Sequence, residues 1–274
     1  FDLGYKALAV NLSDIAAMGG TALDAFVSIG IPATMAMDFI EEFYRGLKSL
    51  AAEFNVNILG GDTTGSKTDL VVNIAVTGEV TANKMLGRDQ AQAGDIIFSS
   101  GFLGDSRAGL HLLCNPEETE SDTWTQLKHA HLKPRPHLRE GQFLASYPAV
   151  HAAIDVSDGL SSDLAHILKA SAKGAHLTAT AIPVSEQLER FCRHFDFEPT
   201  AYALAGGEDY VLVCTVAPNQ ADTIAQAFEH QFGRPLFKIG TVTPSGPLEI
   251  VEANGTAKPL KPDGWDHFKR ELQT

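Results

Sequence analysis

Four short segments place carboxylates beside glycines or hydroxyls, the residue types that handle phosphate and metal. Asn11-Leu12-Ser13-Asp14 interrupts an otherwise apolar helical stretch. An aspartate is a poor helix-interior residue and is costly to bury alone, so this one marks either a solvated face or a site. Gly60-Gly61-Asp62-Thr63-Thr64 follows a β-rich run. Its glycines let backbone N–H groups approach a ligand, and its carboxylate and hydroxyls can hold a cation; a tight hairpin turn is the plainer reading. Ile154-Asp155-Val156-Ser157-Asp158-Gly159-Leu160 sits where a strand becomes a helix. Residues 155 and 157 share a face of an extended chain, and a turn after 157 would bring Asp158 near them. Ser157 or Asp158 could equally cap the helix. Gly206-Gly207-Glu208-Asp209-Tyr210 precedes an apolar strand and reads as a site for a cationic or hydroxylated ligand, or as a β-turn.

If Asp14, Asp62, Asp155 and Asp158 converge, they repel one another. Two like charges 4 Å apart cost about 4 kcal/mol at an effective dielectric of 20. Such a site needs cations or raised pKa values. Carboxylate oxygens are hard ligands that suit Mg²⁺ rather than Zn²⁺. Several carboxylates and few basic residues therefore suggest Mg²⁺-dependent phosphate chemistry. Other motifs are weak or absent. Gly60 to Lys67 reads GGDTTGSK, with lysine and hydroxyl in the wrong order for a P-loop. The spacing around Asp155 does not match an EF-hand. The ten histidines form no HExxH pair. Gly101-Phe102-Leu103-Gly104-Asp105 resembles a phosphate loop only in part.

The elements that must position these clusters follow from periodicity. Helices are expected over 3–18, 37–54, 105–113, 160–170 and 221–232, and strands over 25–31, 55–59, 70–80, 96–98, 152–156 and 210–216. The alternation gives an α/β or α+β fold. Periodicity fails over 87–95, where a domain boundary is expected, giving domains 1–93 and 94–274. The polar stretch 115–139, with Pro116, Pro134 and Pro136, reads as an exposed connection. Acidic residues outnumber basic ones 34 to 21, for a net charge of −13, and no basic tract exists to bind a nucleic-acid backbone. Cys114, Cys192 and Cys214 show no metal or disulfide spacing, which suits reduced thiols in a cytoplasmic protein. No apolar run reaches about 18 residues, so no membrane span is expected. The chain opens at Phe1 rather than Met, and its native start is expected to lie upstream.

The ordered set DLGYKALAVNLSDIAAMG, NILGGDTT, AAIDVSDGLSSDL, GGEDY and GWDHF resembles the thiamine-monophosphate kinase family, within the wider group that contains aminoimidazole ribonucleotide synthetase. The resemblance runs from Asp2 to Phe268. It implies two α/β domains and a homodimer whose N-terminal strands form a shared β-barrel. It implies ATP as co-substrate, several Mg²⁺ ions, and direct phosphoryl transfer to thiamine monophosphate. Asp14, Asp62, Asp155 and Asp158 would be metal ligands, with Asp62, Asp155 and Asp158 catalytic. Tyr44, Gly61, Asp62, Arg88 and Ser157 would contact the nucleotide. Glu208 and Trp265 would hold the thiamine moiety, Trp265 by stacking. The chain departs from the family where the N-terminal GDDAA-type aspartates have no counterpart, and where Val211 replaces a common acid. Another ATP-using member of the superfamily, or a silent nucleotide-binding module, is the alternative; a hydrogenase-maturation protein would end in a reactive cysteine, whereas this chain ends Glu271-Leu272-Gln273-Thr274.

Overall fold

A computed structural model describes residues 1–116, 124–262 and 264. Its organising element is α1 (Asp2–Ala17). Leu8, Ala9, Leu12 and Ala16 of this helix are fully buried. On one side α1 packs against α2 (Met37–Phe54) and on β1 (Thr21–Pro32) and β3 (Val71–Glu79); on the other it meets α4 (Thr125–Leu132), α5 (Leu138–Ala145) and β5 (Val150–Asp155). Two close approaches make this possible. A Cβ on Gly4 would lie 1.8 Å from the Phe43 carbonyl oxygen of α2, and one on Gly141 of α5 would lie 2.1 Å from the Ala16 carbonyl oxygen. Only glycine fits at either crossing.

The first half of the chain makes a three-stranded sheet in the order β2-β1-β3, where β2 is Asn57–Ser66. Central β1 pairs in parallel with β2 and antiparallel with β3. Ala25, Val27 and Ile29 point inward under α1 and α2, and Phe26 and Ser28 point outward. Helix α2 supplies Ile40, Phe43, Leu47 and Leu50 to the same core, at the spacing expected for an amphipathic helix. It ends at Asn55, whose φ of 56° stops the helix in the left-handed region.

The second half is a seven-stranded sheet in the order β10-β9-β6-β8-β4-β7-β5. Its strands are β4 (Ile96–Ser99), β5, β6 (Gly174–Thr178), β7 (Leu212–Val216), β8 (Phe237–Thr243), β9 (Leu248–Val251) and β10 (Ala257–Pro259). Every pairing in it is antiparallel except β6 with β9. Helices α3 (Asp105–Cys114), α6 (Leu160–Ala170), α7 (Glu186–Phe195), α8 (Pro199–Ala205) and α9 (Ala221–Phe232), with a short 3-10 turn at Ala179–Ala181, complete the described elements. One hydrophobic cluster runs from Leu8, Leu12 and Phe43 to Phe98, Cys214 and Phe228, so the two sheets share a continuous core through α1.

Three expectations need correction. The strand expected over 55–59 does not end at the glycines; β2 continues through Gly60-Gly61-Asp62-Thr63-Thr64. Gly61 carries φ +146°, and a Cβ there would meet the Val27 carbonyl oxygen at 1.8 Å, so this glycine lets the strand lie against β1 instead of turning it. The stretch 115–139 is not a bare connection: it holds α4 and the start of α5. Buried Trp124 and Leu127 seat α4 against α3 and α7, with the Trp124 and Phe191 rings 6.0 Å apart. A single buried residue within α4 leaves no periodicity to read. The strand expected from Tyr210 starts at Leu212, because Tyr210 has φ +52°. In the single chain the N-terminal strands form an open three-stranded sheet among the described residues.

The Gly141 crossing gives a test of α1 as the keystone. Gly141→Ala must displace backbone, and is expected to lower the free energy of unfolding by about 1–3 kcal/mol in urea titrations.

Candidate functional site: an acid-lined cleft between the two halves

A cleft of about 900 Å³ opens where α1 faces the loops after β5 and before β7. Val10, Asp14, Asp155, Ser157, Asp158, Glu208 and Tyr210 line it, with Arg107, His131 and Gly264. Three of the four sequence clusters therefore meet there. Lys6, Val10, Ser13 and Asp14 form one stripe of α1, at helical spacing, turned toward the second half of the chain.

Asp155 ends β5 and is 6 % exposed. The buried Ser13 hydroxyl donates to its Oδ2 at 2.7 Å, joining α1 to the edge strand. Burial pushes the Asp155 carboxyl up to about 6; the Ser13 hydrogen bond opposes this, and the charges of Asp14 and Asp158 add to it. Asp14 is also raised by lost hydration, with Arg88 pulling the other way.

The next loop is shaped by a residue that sequence reasoning overlooked. Oδ2 of Asp163, in the first turn of α6, accepts from the backbone N–H groups of Ser157, Asp158 and Gly159 at 3.1, 3.0 and 3.0 Å. Neither Ser157 nor Asp158 caps the helix: Gly159 occupies the N-cap and has no side chain to bond the first turn, while its own N–H goes to Asp163. Asp163 folds the loop back and leaves the Ser157 and Asp158 side chains at the cleft. Burial raises its carboxyl to about 7 although the N–H groups pull down.

The GGEDY segment follows the same logic. Asp209 Oδ2 and Oδ1 accept from the Gly104 and Ser106 N–H groups at 2.7 and 3.2 Å, at the start of α3. Burial raises Asp209 to about 8. Its neighbours Glu208 and Tyr210 both sit in the left-handed region, at φ +63° and +52°, where bulky residues rarely go. The inward anchor at 209 places the flanking side chains on the cleft. Burial and the charges of Glu208, Asp155, Asp14 and Asp158 push the Tyr210 phenol far above its ordinary range, so it stays protonated.

The remaining expected residues stand apart. Exposed Asp62 and Gly61 lie on β2, with Asp62 beside Ser28 of β1, and neither lines the cleft. Arg88 is exposed and felt by Asp14. Tyr44 is partly buried edge-on to Phe43, ring centres 5.4 Å apart. Trp265 lies outside the described residues. Among the described residues no three histidine, cysteine or carboxylate groups are placed to hold a metal by themselves. No described helix is long and apolar enough to cross a membrane.

Fold and cleft define a two-part AIR synthase type of protein. The family model for the AIR synthase related protein N-terminal domain matches residues 1–80, and that for the C-terminal domain matches 92–252. Among curated proteins, the thiamine-monophosphate kinase of Bacillus subtilis is 34% identical over 98% of this chain and 82% of its own length. That of Haemophilus influenzae is 37% identical over 98% of this chain and 80% of its own. A solved structure described as AaThiL complexed with AMPPCP and TMP superposes with a TM-score of 0.84 at 31% identity, covering 97% of this chain and 80% of that one. The chain belongs to the thiamine-monophosphate kinase family.

The raised carboxyls set a pH dependence. Asp155, Asp163 and Asp209 have folded values of about 6, 7 and 8 against an ordinary 3.8. The folded state then binds more protons than the unfolded chain, so their contribution is fully present below about pH 3.8 and is lost as pH rises through 6 to 8. Ligand-free protein is expected to melt lower at pH 8 than at pH 5.5. Asp155→Asn, which still accepts from Ser13, should recover about 1–3 kcal/mol at pH 8 and little at pH 4.5, read by calorimetry across that range.

Proposed function

We propose that this chain transfers the γ-phosphoryl group of ATP to the phosphate of thiamine monophosphate, yielding ADP and thiamine diphosphate. The bond between the γ-phosphorus and the β–γ bridging oxygen of ATP breaks, the oxygen leaving with ADP, as a phosphate oxygen of the acceptor bonds to that phosphorus. Donor and acceptor are both anions, so catalysis is positioning and charge neutralisation. The observation that carries this reading is the cleft itself, lined by acids from α1 and from the second half of the chain. Acids gathered at a phosphate site make sense with divalent cations between them.

Asp14, Asp155 and Asp158 offer hard oxygen donors of the right type for Mg²⁺, and the Asp155 carboxyl, raised mainly by burial and further by the charges of Asp14 and Asp158, would be relieved by a cation beside it. A preformed cage is unnecessary, because Mg²⁺ takes one or two carboxylates and fills its shell with water and substrate phosphates. When bound, Mg²⁺ would neutralise the phosphate oxygens during transfer. Asp155 is fixed for that role by Ser13, and Asp158 by the Asp163 loop. Asp62 on open β2 is assigned to the same metal–nucleotide end, with Gly61, Ser157, Arg88 and Tyr44 around the nucleotide. Glu208 and Trp265 are assigned to the thiamine moiety. We assign the boundary between the two domains to 93/94.

We also infer a homodimer that completes a barrel from two open sheets. Leu23, Phe26, Leu59 and Val71 are 36, 40, 60 and 57% exposed on the N-terminal strands of the single chain, an apolar surface that a second copy would cover. Light scattering should return twice the 29.4 kDa chain mass, and Phe26→Lys should return a single chain.

Thiamine diphosphate formation, followed by chromatography, should require ATP, Mg²⁺ and thiamine monophosphate together. ATP binding without product would favour a silent nucleotide-binding module. Asp62→Asn should cut turnover at least about 100-fold with an unchanged melting temperature, since Asp62 is exposed. Turnover near wild type would remove Asp62 from the site.

A further inference from the structure

Lys6 stands on the cleft-facing stripe of α1, in the first half of the chain, yet its partners all belong to the second. Its Nζ donates to Glu208 Oε2 at 2.8 Å and to the His131 carbonyl oxygen at 2.7 Å, and lies 3.3 Å from His131 Nε2. The lysine side chain is 16% exposed. An ammonium group has three donors and no acceptor, so each of these partners must accept. His131 Nε2 is thus the bare nitrogen, and the ring proton belongs to Nδ1. Nδ1 in turn lies 3.1 Å from Ser106 Oγ and 3.4 Å from Glu208 Oε2. Burial and the Lys6 charge keep this histidine below its ordinary range, which maintains the neutral form this pattern requires.

The consequence falls on Glu208. Its Oε2 accepts from Lys6 and lies 3.4 Å from His131 Nδ1, whose hydrogen bond goes to Ser106 Oγ, whereas Oε1 has no hydrogen bond among the described residues. Its backbone is held independently: the Glu208 N–H donates to the Ser157 carbonyl oxygen at 2.8 Å, and Asp209 anchors the loop on α3. The side chain is therefore the part left to Lys6 and His131.

We infer that Lys6 is a positioning residue: carried from the opposite domain on α1, it fixes the tautomer of His131, and the two together turn Glu208 so that Oε1 accepts from an N–H donor of the acceptor substrate. This rests on the thiamine-monophosphate reading above and assigns the acceptor end of the site, not the nucleotide end. It also makes acceptor binding depend on the seating of α1 between the two halves.

The full chain, with Lys6→Met and Lys6→Arg, tests it. Lys6→Met should weaken thiamine monophosphate binding by calorimetry about 10- to 100-fold, the range of one charge-assisted hydrogen bond, and raise its KM in step. The KM for ATP should change less than about 3-fold, and Lys6→Arg should recover part of the loss. Nitrogen-15 NMR of the ligand-free protein, with the His131 resonances assigned by their absence in His131→Gln, should show an Nδ1–H ring that becomes a mixture of tautomers in Lys6→Met. An unchanged KM for thiamine monophosphate in Lys6→Met, equal rises in both KM values, or a ring that is Nε2–H in the wild type would each overturn the inference. Because the NMR reading uses no ligand, failure of wild type to bind thiamine monophosphate would count against the activity and leave Lys6 separately tested.

Discussion

The constraint that governs this molecule is the repulsion among carboxylates held at one cleft by two halves of a chain. Asp14 comes from α1, Asp155 and Asp158 from the loop after β5, and Glu208 from the loop before β7. Left to themselves such groups separate or take up protons, and the protein resists both with fixed donors. Ser13 holds Asp155 with a buried hydroxyl, and Lys6 holds Glu208 with a largely buried ammonium. Both donors ride on α1, so one helix supplies an acid and the means of holding two others. The remaining charge imbalance is what a phosphate bridged by cations would relieve.

The acids divide into two kinds by the direction they face. Asp163 and Asp209 point inward onto backbone N–H groups and shape the loops; Asp155, Asp158 and Glu208 point to the cleft on the loops so shaped. Each inward acid trades hydration for backbone donors, and neither trade is complete, since burial still raises its carboxyl. At Glu208 and Tyr210 the cost is also conformational, because both are held in left-handed backbone. A buried anchor at Asp209, between two strained neighbours, is the arrangement expected where chain geometry serves a site rather than stability.

Placement of α1 sets the accuracy of all these contacts. Glycines at Gly4 and Gly141 bring α2 and α5 to backbone distance on opposite sides, and the core runs unbroken from one sheet to the other. The two halves are thus not free to rock about a polar hinge without opening apolar surface. A cleft built on such a contact keeps its ligands in register across the boundary, as phosphoryl transfer between two bound anions requires.

The amino-acid sequence alone determined the chemistry and much of the frame. Long apolar periods located α2, α6 and α9, and the order of the DIAAMG, GGDTT, DVSDG and GGEDY motifs placed the chain in its family. It also pointed to Asp14, Asp155, Asp158, Ser157 and Glu208, each in a cluster that could equally have been a solvated face, a cap or a turn, and it was the resemblance to the family that gave them roles. What it did not contain were the partners. Lys6 and His131 are 125 positions apart, and Lys6 and Glu208 are 202 apart. The helix bearing His131 has a single buried residue and no readable period. Asp163 was passed over because the loop it holds exists only in the fold, and the glycines beside Asp62 read as a turn although β2 runs straight through them beside β1. Local pattern reports what a segment can do. Which donor meets which acid, and that Asp62 stands on an open strand away from the other three, was decided only when α1 was packed between two sheets.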